Sequence, residues 1–291
     1  MSVDVLKAFN AHPELAAICG VLEKALPQKG LTNRVYRLEA TRGVFFLRLP
    51  RPENAGLVDR QAEEQNLALA AQLGLAPPPL FVFPGAGILL TAAVDDVACA
   101  PEGVPGHLGD MLARLHGSGV AFAGVLEPED VYRAQRGFLD PAVELASEIA
   151  PLDRAMRDLA REAGKAGTIR RVPVHGDLSP GNCLWTGDRL WLIDWEYSAM
   201  ADPAWDLAYA ILEHGFSEAQ EGTFLDAYKD RQAPMGPVPG AGRLEAMKAR
   251  CDAVSALWAL EQVARGRDAG LFLPFARSRR DRALARVRGL I

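Results

Sequence analysis

The segments H-G-D-L-S-P-G-N (His175 to Asn182) and L-I-D-W-E (Leu192 to Glu196) hold the side chains of this chain best suited to chemistry. Asp177, Asn182 and Asp194 fall around an expected hairpin, in which C-L-W and L-W-L-I flank a T-G-D-R turn. Carboxylates crowded at strand ends repel one another unless a positive charge stands between them. Two carboxylates and an amide oxygen converging from rigid strand ends suit a hard divalent cation such as Mg²⁺, which prefers oxygen ligands and would remove the repulsion. A single loop acid or asparagine is ordinarily a turn or cap residue. Turn-making does not demand acids on both sides of a hairpin, so the set is read as a metal site.

Those residues need a scaffold. Val172–Val174 reads as the strand that leads into the loop. Upstream, residues 1–27 read as one or two short helices ending at Pro27. Val35–Glu39 and Val44–Leu49, separated by A-T-R-G, read as a hairpin rich in β-branched and aromatic residues. Leu57, Gln61, Gln65, Leu69 and Leu73 mark the turns of a helix, with Gly74 as its stop. Two short apolar runs follow, Leu80–Phe83 and Ile88–Val94, and then a connector rich in turn formers that places a boundary near residues 95–105. From residue 107 the pattern is mostly helical, including P-A-W-D-L-A-Y-A-I-L-E-H-G-F and the stretch from Arg243 to Arg267. The basic C-terminal stretch places Leu284, Val287 and Ile291 at helical spacing, an amphipathic helix expected to pack on the larger part of the molecule. The expectation is an α+β chain with a small β-rich lobe, 1–94, and a larger, mainly helical lobe, 95–291.

Composition sets limits on the partners. With 291 residues, 49% of them hydrophobic, the chain can bury a substantial core in two lobes. A formal charge of −5 offers no electrostatic reason for a nucleic-acid partner. Cys19, Cys99, Cys183 and Cys251 are widely spaced, without a C-x-x-C pair, so neither a zinc site nor a disulfide framework is expected. The N-terminal pattern lacks the form of a signal peptide, and no stretch has the uncharged length of a membrane span. A cytoplasmic protein without membrane insertion is the expectation.

The two segments resemble the H-x-D-x-x-x-x-N and D-[FW]-E signatures of the choline/ethanolamine kinases and aminoglycoside phosphotransferases, a group with a protein-kinase-like two-lobe fold. The resemblance implies an ATP- and Mg²⁺-dependent phosphotransferase. Asp177 would be the base or positioning carboxylate for a substrate hydroxyl, and Asn182 and Asp194 would hold Mg²⁺ against the ATP phosphates. His175 would brace the loop. In the first lobe, K-G-L-T-N-R-V-Y is similar to the family's phosphate-covering loop, with Gly30 and Asn33 at its marked positions. F-F-L-R-L-P puts Arg48 where a lysine normally meets the nucleotide phosphates, a change that keeps the charge but not the geometry. D-R-Q-A-E-E-Q-N is similar to the helix that supplies a paired acid, and the motif favours Glu63 over Glu64. G-I-L-L-T-A-A-V resembles the strand entering the hinge, where backbone groups of Thr91 to Val94 would hold adenine.

The same resemblance implies a small, cationic alcohol as acceptor, choline or ethanolamine first. Tyr197 follows D-W-E as in that family, and Glu196 and Ser179 stand with it toward the acceptor. Asp206 would brace the loop, Glu213 would face the cation, and Trp258 would cover it with an aromatic face. Ser255 and Ser179 replace larger residues of many choline kinases and thin this box. Thiamine or an aminoglycoside is therefore an alternative acceptor, although the basic terminus disfavours a polycation. The third alternative, a non-catalytic nucleotide-binding protein, rests on Arg48 alone.

Overall fold

The computed structural model describes residues 2–28, 33–51, 58–94, 97–98, 100–163, 170–187, 189–232 and 238–291. Gly30, Leu57, Cys99 and Asp188 lie outside them. Two short helices, α1 (Val3–Ala11) and α2 (Pro13–Cys19), open the chain. Gly20, with φ 77°, ends the second, and the chain then turns into strand β1 (Leu22–Gln28). Here the expectation of helix up to Pro27 fails. Leu, Glu, Lys and Ala favour helix locally, but β1 pairs antiparallel with β2 (Asn33–Ala40), and this pairing overrides the local preference. As the outermost strand, β1 tolerates Pro27, and most of its side chains face solvent.

The expected hairpin is formed by β2 and β3 (Gly43–Pro50). Helix α3 (Arg60–Gln72) follows, capped by the Asp59 carboxylate on the backbone N–H groups of Gln61 and Ala62. Strands β4 (Pro79–Phe83) and β5 (Ile88–Ala92) complete a five-stranded sheet in the order β1-β2-β3-β5-β4. The twofold alternation of β3 sends Phe45, Leu47 and Leu49 into the core with Val5, Leu15, Tyr36 and Leu38. Arg48, on the opposite face, is nevertheless buried, because Glu63 of α3 lies over it.

The second lobe is mainly helical: α4 (Val104–His116), α5 (Pro128–Phe138), α6 (Ala146–Ala163), α7 (Ala204–Glu213), α8 (Glu218–Gln232), α9 (Ala241–Ala264) and α10 (Ala269–Leu290). Between α6 and α7 run β7 (Val172–Val174), the hairpin β8 (Cys183–Thr186) and β9 (Arg189–Leu192), and β10 (Ala199–Ala201). Strands β6 (Val125–Leu126) and β10 are too short to carry a sequence period, and β10 pairs with β6 on one side and with β7 on the other. The architecture is thus the expected α+β, protein-kinase-like pair of lobes.

Helix α3 ties the lobes together. Its fully buried Asn66 donates to the carbonyls of Ala123 and Ser198 and accepts from Ala123 N–H. In the same region Leu192 N–H donates to Leu75 O at 2.8 Å. The basic C-terminal helix does pack inward: Val287 is buried and Leu284 partly so. Ile291, expected on the same face, is 65% exposed, because the helix ends one residue earlier. Three arginines of α10, Arg279, Arg282 and Arg286, meet the fully buried Asp252 of α9, and Arg277 and Arg280 pair with Glu148 of α6. Cys19, Cys183 and Cys251 are buried free thiols. Among the described residues, no helix is long and apolar enough to cross a membrane.

Candidate active site

The loop after β7 is shaped by Gly176. Its φ is 88°, and a Cβ there would lie 2.4 Å from the Tyr197 carbonyl oxygen, so only glycine fits without strain. Asp206, fully buried in the first turn of α7, accepts from the backbone N–H groups of His175 at 2.8 Å and Gly176 at 2.9 Å. The carboxylate also meets His116 Nε2 at 3.3 Å, while Trp205 Nε1 donates to the Gly176 carbonyl.

His175 is sealed from solvent, and burial lowers its pKa, which keeps the ring neutral. Its Nδ1 accepts from Asp177 N–H, and Nε2–H donates to the Ile193 carbonyl at 3.0 Å. The ring therefore links the Asp177 loop to the segment that carries Asp194.

The hairpin register brings the remaining groups together. Cys183 pairs with Leu192, and just beyond this pair Ile193 N–H donates to the Asn182 carbonyl at 3.0 Å. The Asn182 amide nitrogen donates to the Asp177 carbonyl at 2.9 Å and to its carboxylate at 3.0 Å. Tyr209, one helical turn beyond Asp206, also hydrogen-bonds the Asp177 carboxylate. Burial raises the Asp177 pKa, against the favourable bonds from Tyr209 and Asn182.

Asp194 has the one positive φ, 65°, among the described non-glycine residues. Its Oδ1 is buried without a hydrogen-bond partner, and Arg48 Nη1 stands 3.7 Å away. Burial first, then the nearby Glu196 and Asp177 carboxylates, push its pKa up to about 7 against the pull of Arg48. A desolvated carboxylate facing others of its own charge is a place prepared for a cation. Among the described residues no three His, Cys, Asp or Glu side chains form a metal cage by themselves. Two carboxylates and an amide could serve as donors here, which would leave room for oxygens that the protein does not supply.

Arg48 is held in a two-pronged contact by Glu63, with Nη2 2.8 Å from Oε2 and Nη1 close to Oε1. It is Glu63, buried, and not the more exposed Glu64 that meets it. Asn33 and Glu196 are joined to each other at 3.0 Å, and Arg60 touches both. Thr91 and Val94 lie partly exposed at the end of β5, next to residues 95 and 96, which fall outside the described ones. Ser179 is partly buried and its carbonyl accepts from Asn182 N–H, while Tyr197 is 45% exposed.

Glu213, at the end of α7, is engaged by Arg279 at 2.7 Å. The guanidinium of Arg279 lies 4.9 Å from the Phe275 ring centroid, and Trp258 packs edge-on against Phe275 and Phe272. Glu213 and Trp258 are therefore connected through Arg279 and Phe275. Three residues at these sites escaped sequence reading. Arg60 was signalled only by its place three residues before Glu63, Tyr209 only by its place three residues after Asp206. Arg279 lies in the basic terminal helix, where no local pattern separates it from its neighbours.

A strand-rich lobe laid over a helical lobe, with Asp177, Asn182 and Asp194 converging between them, is the architecture of a protein-kinase-like phosphotransferase. The chain belongs to the phosphotransferase enzyme family, whose sequence pattern matches residues 25–246, and within it to the choline/ethanolamine kinase group. A choline/ethanolamine kinase family protein from Mesorhizobium loti is 30% identical, with a TM-score of 0.76 over 99% of this chain and 100% of that one. A structure of LicA in complex with AMP is 25% identical, with a TM-score of 0.80 over 93% of each chain. In sequence, Protein LicA of Haemophilus influenzae is 29% identical over 207 residues. That match covers 68% of this chain and 60% of LicA, under two thirds of the relative's length.

Proposed function

We propose that this protein transfers the γ-phosphoryl group of Mg·ATP to the hydroxyl of a small amino alcohol, with choline or ethanolamine as the first candidates. The observation that carries the reading is the pairing of Asn182 with Asp177, tied through Ile193 to Asp194, whose Oδ1 is buried without a hydrogen-bond partner. The family to which the chain belongs, and the names of its relatives, point the same way.

The residues fit the chemistry. Asn182 and Asp194 would hold Mg²⁺, which would neutralise charge on the phosphates as transfer proceeds. Asp177, fixed by Asn182 and Tyr209, would accept the proton of the acceptor hydroxyl. The alcohol oxygen then bonds to the γ-phosphorus as the bond to the β,γ-bridging oxygen breaks and ADP leaves. Arg48, braced by Glu63, adds positive charge beside Asp194. Residues 1–94 would form the nucleotide lobe, Asn33, Thr91 and Val94 included, and residues 95–291 the catalytic and acceptor lobe. Ser179, Glu196, Tyr197, Glu213 and Trp258 would face the acceptor. A cytoplasmic setting suits an enzyme that draws on ATP.

One observation favours a second acceptor class. Glu213, the acid expected to face a cation, is already paired with Arg279. An alcohol held by contacts other than that carboxylate would use the same phosphoryl chemistry, and thiamine, although itself a cation, is the example to test.

The test is direct: the purified chain with Mg·ATP and a panel of choline, ethanolamine, thiamine and kanamycin, scored for ADP and phosphorylated product. Turnover with choline or ethanolamine supports the first reading, and turnover with thiamine alone the second. Mg·ATP binding without turnover of any alcohol in the panel would count against both.

A further inference from the structure

Arg60, in the first turn of α3, touches polar side chains from three separate parts of the chain. Its Nη1 lies 2.7 Å from Glu63 Oε2 and 3.1 Å from Glu196 Oε2, and Nη2 lies 3.3 Å from Asn33 Oδ1. Asn33 closes the ring by donating Nδ2 to the same Glu196 oxygen at 3.0 Å. The cluster is nearly sealed: the side chains of Arg60, Glu63 and Glu196 are 13%, 4% and 2% exposed. A guanidinium so far from water persists only when its donors are matched, and two carboxylates and an amide oxygen match them here.

The three partners belong to three different parts of the site. Asn33 begins β2, Glu63 holds Arg48, and Glu196 lies two residues beyond Asp194. Asp194 sits at φ 65°, a conformation that is strained for a non-glycine residue and persists only when its neighbours enforce it. On one side the enforcing contact is Ile193 N–H to the Asn182 carbonyl. On the other, Trp195 is buried and its indole donates to the Leu192 carbonyl. Glu196 is then gripped across the lobes by Arg60 and Asn33. The pair of Arg48 and Glu63 is already two-pronged without Arg60, so the distinct contribution of Arg60 is this grip on Glu196.

We propose that Arg60 is a positioning residue of the metal site, tying Asn33 and Glu63 of the strand-rich lobe to Glu196 and so holding Asp194 in the conformation that presents its carboxylate. The inference rests on the reading of Asp194 as a Mg²⁺ ligand. Groups that orient a ligand from behind commonly change metal affinity by about 10–100-fold when removed.

The experiment is calorimetric titration of ATP into the full chain over a range of Mg²⁺ concentrations, without acceptor, alongside ADP binding in EDTA and thermal melts. In Arg60→Met the Mg²⁺ concentration for half-saturation is expected to rise about tenfold or more, while ADP binding in EDTA stays as in wild type. Arg60→Lys keeps the charge but cannot span three partners, and should fall between the two. Glu196→Gln should give the same rise, and the double variant no more than the larger single effect, because both changes break one linkage. If Arg60→Met does not fold, Arg60→Lys and Glu196→Gln supply the comparison. If wild-type ATP binding proves indifferent to Mg²⁺, the metal assignment fails and this inference with it. If wild type requires Mg²⁺ and the variants lose only melting temperature, Arg60 is an interlobe ion pair alone and the inference is overturned.

Discussion

Arg48 Nη1 lies 3.7 Å from Asp194 Oδ1 while the same guanidinium is gripped by Glu63. A residue of the strand-rich lobe thus places positive charge against a carboxylate of the helical lobe. The acid of α3 fixes where that charge stands. Lobe geometry and site electrostatics are therefore coupled.

Asp177→Asn keeps the shape of the side chain and removes the base. Turnover should fall by about 10²–10⁴-fold, with ATP binding retained. Burial already disfavours the ionised form of Asp177, so the melting temperature should hold or rise. Near-normal turnover of a verified substrate would refute the assigned role.

Glu63 carries a pH dependence with a definite sign. Burial alone would raise its pKa, but hydrogen bonds from Arg48 and Arg60 bring it below the ordinary value. Folded Glu63 therefore binds its proton more weakly than unfolded Glu63. Its stabilisation is fully present above the unfolded value of about 4.3 and is lost as pH falls through the folded one. Glu63→Gln should cost about 3 kcal/mol at neutral pH, since it removes the two-pronged partner of buried Arg48 and leaves it the 3.7 Å contact with Asp194. The gap to wild type should close in acid, and thermal melts of both proteins across pH will show whether it does.

Gly176→Ala places a Cβ 2.4 Å from the Tyr197 carbonyl oxygen, on a residue with φ 88°. The left-handed backbone alone costs about 1–2 kcal/mol, and the contact with backbone adds to it. Both melting temperature and turnover should drop, since relieving the clash shifts the loop that carries Asp177 or the Tyr197 backbone beside it. An unchanged melt would mean that the loop is looser than its hydrogen bonds to Asp206 imply.

Trp258→Ala separates acceptor binding from packing. If the indole face meets a cationic alcohol, KM for that alcohol should rise about tenfold while KM for ATP stays the same. A lower melting temperature with both KM values unchanged would make Trp258 purely a packing partner of Phe272 and Phe275.

The legible parts of this protein were those governed by neighbours in the chain. The hairpin β2–β3, the helix α3 and its glycine stop follow from local periodicity. The closeness of Asn182 and Asp194 follows from the turn between β8 and β9. Strand β1 departs from the expected helix because its residues prefer helix locally and only pairing with β2 makes them a strand. Strands β6 and β10 were invisible because two or three residues cannot display a period.

By itself the sequence determined which groups could do chemistry here. Asp177, Asn182 and Asp194 lie within one hairpin's reach, so short-range geometry sufficed to bring them together. What only tertiary structure decided is the charge and orientation of those groups. The pairing of Arg48 with Glu63, the grip of Arg60 on Glu196, and the engagement of Glu213 by Arg279 join residues remote in the chain. The reason is physical: a buried charge is set by whatever lies within a few ångströms of it, and in a folded chain those neighbours come from other elements.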